Sequence, residues 1–487
     1  MTNQQDRQGQ DSLGEARASP TKDFFVRMLT RDIELGDALL DLLDNCLDGV
    51  LRTGSIDRDS RRPYEGYKAK LILSEQEFVI EDNCGGIPLD VARRYAFAMG
   101  RPQDAPSDAP ATIGMYGIGM KRAIFKMGTN AIVQSRHGDD EAFYVEFTPE
   151  WMADDIWEDL EIYSLDESEF TGLGTRIQIL KLGDEARRFF GDRQKVDDFR
   201  KLVARHYSLI LEKGFEVRIG SPDEIDSDIA RVRPAPFRLL WSTESSDSAQ
   251  IAPFVYRGQI EGVDCEIYAG FYRPLLTKEE LETEEESRGS TDDAGWVVVC
   301  NDRVVIWKDR TRLTGWGESG VPNFHGQFIP ITGIVLLYSE DPSLLPLTTT
   351  KRGIDAASSV YSVAKDMMRD ATKELTKFTN RWKKFPEERN EFYKRSSKCS
   401  LTDIRNKVRS EALPLRKTRR FGEIQVFRPD LPAPPRENTD ARISFLANKE
   451  EIEIVRRFFF EDQELKNEEV GKRSFAYALE GARRASE

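Results

Sequence analysis

Histidine is almost missing from this chain: three residues in 487, His137, His206 and His325. Cysteine is nearly as scarce. Its five copies (Cys46, Cys84, Cys265, Cys300, Cys399) are scattered, with no CxxC pair. That rules out a zinc ribbon or a disulfide framework read from spacing, and reduced thiols in a cytosolic protein are expected. Apolar runs long enough to cross a bilayer are lacking too, so no membrane span is expected. The opening stretch, MTNQQDRQGQDSLGEARASP, is polar and has no apolar signal core, which argues against secretion. Excess positive charge is also missing. Lys plus Arg number 71 against 85 Asp plus Glu, a net charge of −14, and a uniformly acidic protein is a poor general binder of phosphate backbones. What remains is 39% hydrophobic and 32% charged, the balance of a globular chain long enough for roughly two to four domains.

The pattern along the chain is mixed. After a polar arm, Asp32 to Val50 reads as an amphipathic helix, with Ala38, Leu39, Leu42, Leu43, Cys46, Leu47 and Val50 at helical spacing. Strand patterns at Lys70–Ile72 and Phe78–Glu81 run into the turn Asp82-Asn83-Cys84-Gly85-Gly86. A Pro/Asp/Ala loop from Arg101 to Thr112 leads to Gly114-Met-Tyr-Gly-Ile-Gly-Met-Lys121 and a short helix ending at Met127. Strands at 131–135, 142–147 and 175–181 complete an α/β unit. A second unit is expected from about Asp192, with a helix over Phe199–Leu211 and strands near Glu216–Ile219, Cys265–Phe271, Trp296–Val299 and Ile334–Leu337. From Ala356 the pattern is mainly helical, broken by the linker Pro429-Asp-Leu-Pro-Ala-Pro-Pro435 before a small tail module.

Three pieces suggest chemistry. On the first helix, Asp37, Asp41, Asn45 and Asp48 form a polar stripe opposite the apolar face. A solvated helix face would look the same. The functional alternative has Asn45 offering an amide oxygen to Mg²⁺, a hard cation that takes oxygen ligands. Asp41, one turn earlier, would then activate a water. The second piece is Asp82 at a strand end beside glycines. A carboxylate there can accept from an adenine amine while the glycines let a base approach the backbone, although a plain β-turn uses the same letters. The third is Gly114-x-x-Gly117-x-Gly119-Met-Lys121, where glycines before a helix expose N–H groups to phosphates. The Gly-Lys-Ser/Thr ending of a Walker A loop is absent.

In this order the pieces resemble the GHKL superfamily of gyrase-type topoisomerases, the ATP-dependent heat-shock chaperone, histidine kinases and MutL. Asp41 to Asp48 is similar to the family's first motif, Asp82 to Gly86 to the second, Gly114 to Lys121 to the third, and Gly174-Thr175 to the fourth. The resemblance implies an ATPase with ATP and Mg²⁺ as cofactors. Asn45 is the implied metal ligand. Asp82, Gly86, Ile87, Gly114, Gly117, Ile118, Gly119, Met120, Lys121 and Thr175 are implied nucleotide contacts, and Asp41 the general base. Leu347-Thr-Thr-Thr-Lys351-Arg-Gly resembles the lysine loop of a transducer-type domain, whose lysine reaches the γ-phosphate; Cys300-Asn-Asp-Arg-Val-Val305 is similar to the Asn/Arg strand before it. Two departures stand out. The base is Asp41 where the family carries glutamate, so slower or geometrically altered water activation is expected. Cys84 takes the place of the second motif's first glycine.

The implied fold class is α+β: a Bergerat-fold α/β sandwich (23–190) after an N-terminal arm (1–22), a transducer-type α/β domain (191–355), a basic helical region (356–428), then a linker and small C-terminal module (429–487). No histidine precedes Asn45 to serve a histidine kinase, and the remaining tail lacks the Cys/His clusters of a metal-dependent nuclease. The layout is closest to MORC/MutL-type ATPases. It implies a cytoplasmic homodimer closing on ATP as a clamp or switch on DNA or in a protein complex. The alternative is a nucleotide-dependent interaction module with little hydrolysis, by analogy in phage defence. Lys373 to Arg420 carries sixteen basic and six acidic residues, about +10. With Phe378, Trp382, Phe385, Phe392 and Tyr393 interleaved, it is a candidate contact with DNA or a partner protein, although a helical stalk whose basic face is solvated or pairs with the acidic remainder would carry the same residues.

Overall fold

The computed structural model describes residues 21–53, 60–98, 118–166, 170, 172–242, 249–275, 293–348, 353–383, 385, 393–410, 415–417, 423–434, 443–444, 446–460 and 465–486. The chain forms two compact units, Met1–Ala433 and Pro434–Glu487. The larger is built on two seven-stranded sheets. The smaller holds the helices Lys449–Phe460 and Asn467–Ser486. No helix among the described residues is long and apolar enough to cross a membrane.

The first sheet runs β5(Ile162–Ser164)-β4(Phe143–Phe147)-β3(Ala131–Arg136)-β6(Gly174–Ile179)-β2(Phe78–Asp82)-β1(Lys68–Leu73)-β7(Glu216–Gly220). All pairs are antiparallel except β1 with β7. Alternate residues turn inward, as a two-residue period requires: Ala69, Leu71, Leu73, Phe78, Ile80, Ala131, Val133, Ile177, Ile179, Val217 and Ile219 share one core. The opposing layer comes from α1 (Lys22–Arg31), α2 (Leu35–Arg52), and, after the short helix α3 (Leu89–Val91), α4 (Gly119–Met127). Beyond α5 (Pro149–Ala153), it is completed by α6 (Asp184–Phe190), α7 (Arg193–His206) and α8 (Ser208–Glu212). Thr21 caps α1 by accepting from Phe24 N–H at 3.4 Å, and Asp192 caps α7 through Gln194 and Lys195.

Two boundaries differ from the sequence reading. The helix expected over Phe199–Leu211 is two, because at Tyr207 the backbone leaves helical geometry (φ −108°, ψ 16°). Those helices and β7 belong to the first layer rather than a second unit: Phe199, Val203, Tyr207, Ile210, Val217 and Ile219 lie in its core. Parallel pairing with β1, whose residues pair with partners 148 positions away (Lys68 with Glu216), is a partnership that local pattern does not encode.

The second sheet runs β12(Arg303–Asp309)-β11(Gly295–Cys300)-β13(Ile331–Tyr338)-β10(Val263–Phe271)-β9(Phe254–Ile260)-β16(Gln425–Phe427)-β15(Arg416–Lys417). Both of its faces are covered. Trp296, Val298, Cys300, Cys265, Ile267 and Ala269 meet one side of α9 (Ser359–Trp382), through Tyr361, Ala364, Met367, Met368, Ala371, Leu375 and Phe378. Val297, Val299, Tyr268, Ile334 and Leu336 meet Leu239 and Trp241 of β8 (Arg238–Ser242) and Leu401, Ile404 and Val408 of the helix Leu401–Ser410. Sheets buried on both faces read as continuous apolar runs, as Trp296-Val-Val-Val-Cys300 does. All five cysteines are buried free thiols.

Candidate functional site

Helix α2 is the spine of the site. Its polar stripe is drawn into the protein: Asp41 and Asp48 are buried, Asp37 and Asn45 are half-buried, and Asp44, beside the stripe, is buried as well. The helix is enclosed because α4 lies along it and the sheet lies beneath it. Three carboxylates in one enclosed helix are costly unless each finds partners. Arg122, on the first turn of α4, supplies one: its Nε lies 3.2 Å from Asp41 Oδ2 and its Nη2 makes a closer contact with the same oxygen. Gly119, the first residue of α4, faces Asp41 as well; a Cβ placed there would lie 3.4 Å from Asp41 Cβ. The Asn45 side chain makes no hydrogen bond with the described residues, which leaves an amide oxygen available one turn from Asp41.

Asp82 closes β2 and lies next to α2. Its Oδ1 accepts the Cys84 N–H at 2.7 Å. Burial pushes its pKa up to about 6, against the pull of hydrogen bonds from Cys84, Cys46 and the Thr175 backbone. Burial likewise raises the neighbouring thiols Cys46 and Cys84, so both stay protonated. Cys84 is buried, its Sγ 3.8 Å from the Lys68 carbonyl of β1.

The backbone beside Asp82 is drawn in tightly. Gly86 (φ +72°) passes so close to β3 that a Cβ would lie 2.0 Å from the Arg136 carbonyl, and Gly174 (φ +141°) so close to β2 that its Cβ would lie 1.9 Å from the Asp82 carbonyl. No other residue fits either position without moving a strand. Ser135, on β3 opposite Thr175, ties these segments together. Its Oγ accepts the Ile87 N–H at 2.8 Å, donates to Gly174 O at 3.0 Å, and sits 3.0 Å from Thr175 Oγ1. His137 Nδ1 adds a contact to the Gly85 carbonyl.

The sequence-based site residues fall into three groups. Asp41, Asn45, Gly119 and Met120 lie along the α2–α4 contact, with Ile118 at the N-cap of α4, where no side chain caps the helix. Asp82, Gly86, Ile87 and Thr175 meet at the sheet end. Gly114, Gly117 and Lys351 lie outside the described residues. Lys121 was expected at phosphate, but its chain turns inward. It is buried and donates to Ala96 O at 2.9 Å, and burial lowers its pKa to about 8. Arg122, Ser135 and His137 were not singled out from sequence. Ser135 had a signal, a small polar residue at an inward position of an alternating strand; Arg122 and His137 had none, since their partners are far away in the chain.

Residues 33–175 match the family described as histidine kinase-, DNA gyrase B-, and HSP90-like ATPase. This is a GHKL-type ATPase domain. The match spans α2 through the first residues of β6, and so covers Asp41, Asn45, Asp82 and Thr175 together. Binding of ATP is the property this GHKL domain brings to the chain. No curated protein matches the sequence.

Proposed function

We propose that the GHKL domain binds ATP with Mg²⁺, hydrolyses it slowly, and uses the nucleotide to gate association of two chains. The observation that carries this reading is Asp82: a carboxylate sunk at a strand end against α2, beside Thr175 and two tightly drawn glycine segments, with Asn45 on the adjoining helix. In this reading Asp82 accepts from the adenine amine while Thr175, Gly86 and Ile87 border the base. Gly114, Gly117, Ile118, Gly119 and Met120 supply N–H groups toward the phosphates at the start of α4. Asn45 fits Mg²⁺ because it offers an uncommitted hard oxygen, and Mg²⁺ is held by few protein ligands plus phosphates. When bound, the ion would neutralise phosphate charge. Asp41 takes the proton of the attacking water, and Lys351 meets the γ-phosphate as a fixed cation.

Labelled-ATP titration and steady-state phosphate release test this together. Asn45→Ala and Asp82→Ala should each weaken ATP binding by roughly 1.5–3 kcal/mol, the worth of a hydrogen bond to a charged group. Asp41→Ala should keep binding and lose phosphate release. Wild-type affinity in either of the first two variants removes that residue from the site.

One observation favours a second reading, a nucleotide-dependent interaction module with almost no turnover: Arg122 engages the Asp41 oxygen that a general base would need free. Under that reading wild type and Asp41→Ala both bind ATP and neither releases phosphate. Arg122→Gln separates a restrained base from an idle one, because freeing Asp41 raises the rate severalfold only if Asp41 is the base. A clamp or switch on DNA or in a protein complex, in the manner of MORC- and MutL-type ATPases, follows from the resemblance in layout. Three aromatic residues of the basic stretch, Phe378, Trp382 and Tyr393, do not add to it, since they are core.

A further inference from the structure

The turn between β11 and β12 is a tight one, with Asn301 (φ 46°) and Asp302 (φ 69°) both left-handed. It drives three consecutive residues against the GHKL layer. Asp302 accepts from Lys213 Nζ at 2.6 Å and from Tyr64 O–H at 3.1 Å. The Val304 carbonyl meets His206 Nδ1 at 2.8 Å. Between them, Arg303 Nη1 forms an ion pair with Asp44 Oδ2, the two side chains only 4% and 2% exposed. The other oxygen of Asp44 accepts from Tyr207 O–H at 2.6 Å, and that hydroxyl also reaches Leu40 O at 3.0 Å.

Asp44 occupies a particular place: it directly precedes Asn45 and follows Asp41 by three residues on α2. A charge pair sealed from water has few alternative geometries, because any displacement strands both charges in the interior. The register of α2 is therefore set from the second sheet as well as from its own core. We infer that Arg303 is a positioning residue for hydrolysis: by holding Asp44 it fixes the azimuth of α2, and so aims Asp41 and Asn45, and ties that aim to the placement of the second sheet. This rests on the ATPase reading above. It makes no use of Lys351; the coupling runs through the β11–β12 turn.

The effect falls on Asp41 and Asn45 and spares the base-binding end, since Asp82 and Thr175 lie on strands, and Gly86 in the loop after β2, that the pair does not touch. Two variants of the full chain test it. Arg303→Lys keeps the charge but loses the planar fork, and the double variant Asp44→Asn with Arg303→Gln removes both charges, so that neither is stranded. Measured are kcat, ADP affinity and melting temperature. Both variants should lose at least fivefold in kcat while ADP affinity, measured without Mg²⁺ so that Asn45 does not contribute, stays within threefold of wild type. Unchanged kcat in both, against an active wild type, overturns the inference and leaves the ATPase reading intact. So does a parallel fall of kcat, ADP affinity and melting temperature, which marks a merely structural pair. A wild-type chain that binds ATP but releases no phosphate overturns the inference together with the hydrolytic reading.

Discussion

A carboxylate that accepts a hydrogen bond from a neutral amine does so best when ionised, and Asp82 is held close to the point where it is not. Burial raises its pKa from 3.8 to about 6, so the folded protein favours the protonated acid. The sign for stability follows. This group's contribution is fully present below the unfolded value and is lost as pH rises through about 6. For nucleotide recognition the sign is opposite, because the acceptor is gained as pH rises through the same range. Affinity for ADP should therefore fall below about pH 6, beyond the fall caused by titration of the nucleotide's own phosphate. Asp82→Asn, measured by calorimetry over the same pH series, supplies the control: it should bind more weakly and keep only the nucleotide's dependence. An identical pH profile in both proteins would mean that Asp82 does not face the base. Ser135 and Arg122 belong to this scale too, being residues whose importance lies wholly in which atoms the fold brings to them.

Helix α9 illustrates how an element can mislead when read by composition. Its basic residues and its aromatics alternate along the chain, but the helical period sends them to different sides. Phe378 and Trp382 pack into the second sheet's core, where Phe378 meets Phe271 at 5.1 Å between ring centroids and Trp382 Nε1 donates to Pro432 O at 2.9 Å. Lys377 pairs instead with Glu374 on the outer face, at 2.7 Å. Base stacking on these two rings is thus unavailable. Truncating the buried ring should be costly: Trp382→Ala is expected to lower unfolding stability by about 3–5 kcal/mol. Lys377→Gln, whose pair is surface-exposed, should change it by less than about 1 kcal/mol. Chemical denaturation of the two variants, with equal losses, would show that Trp382 is not the packed anchor described.

For the whole molecule, the proposed function makes one demand that no single residue tests, namely that nucleotide brings two chains together. Light scattering of the full chain with a non-hydrolysable ATP analogue should give a mass near twice 55.7 kDa, and a mass near 55.7 kDa with ADP or no nucleotide. A monomer under saturating analogue removes the clamp while leaving ATP binding untouched. The buried joint between the two sheets bears on the same scale, because Arg303, Asp302 and Val304 leave little freedom for one sheet to move without the other.

Local pattern alone determined much of the GHKL layer. The apolar spacing of α2, the strands leading to Asp82 and to Gly174-Thr175, and the glycines before α4 are all short-range signals. They are legible because helix period, strand alternation and glycine tolerance act over a few neighbouring residues. Only the tertiary structure decided that the α2 stripe is enclosed rather than solvated, that Asp41 is engaged by Arg122, that Lys121 turns inward, and that β7 pairs with β1. It alone revealed that Asp44, silent in the sequence beside Asn45, answers Arg303 from 259 residues away. The physical reason is the same in each case. Whether a charge is a surface ornament or a buried partner depends on desolvation, and desolvation is set by whatever the rest of the chain lays over it.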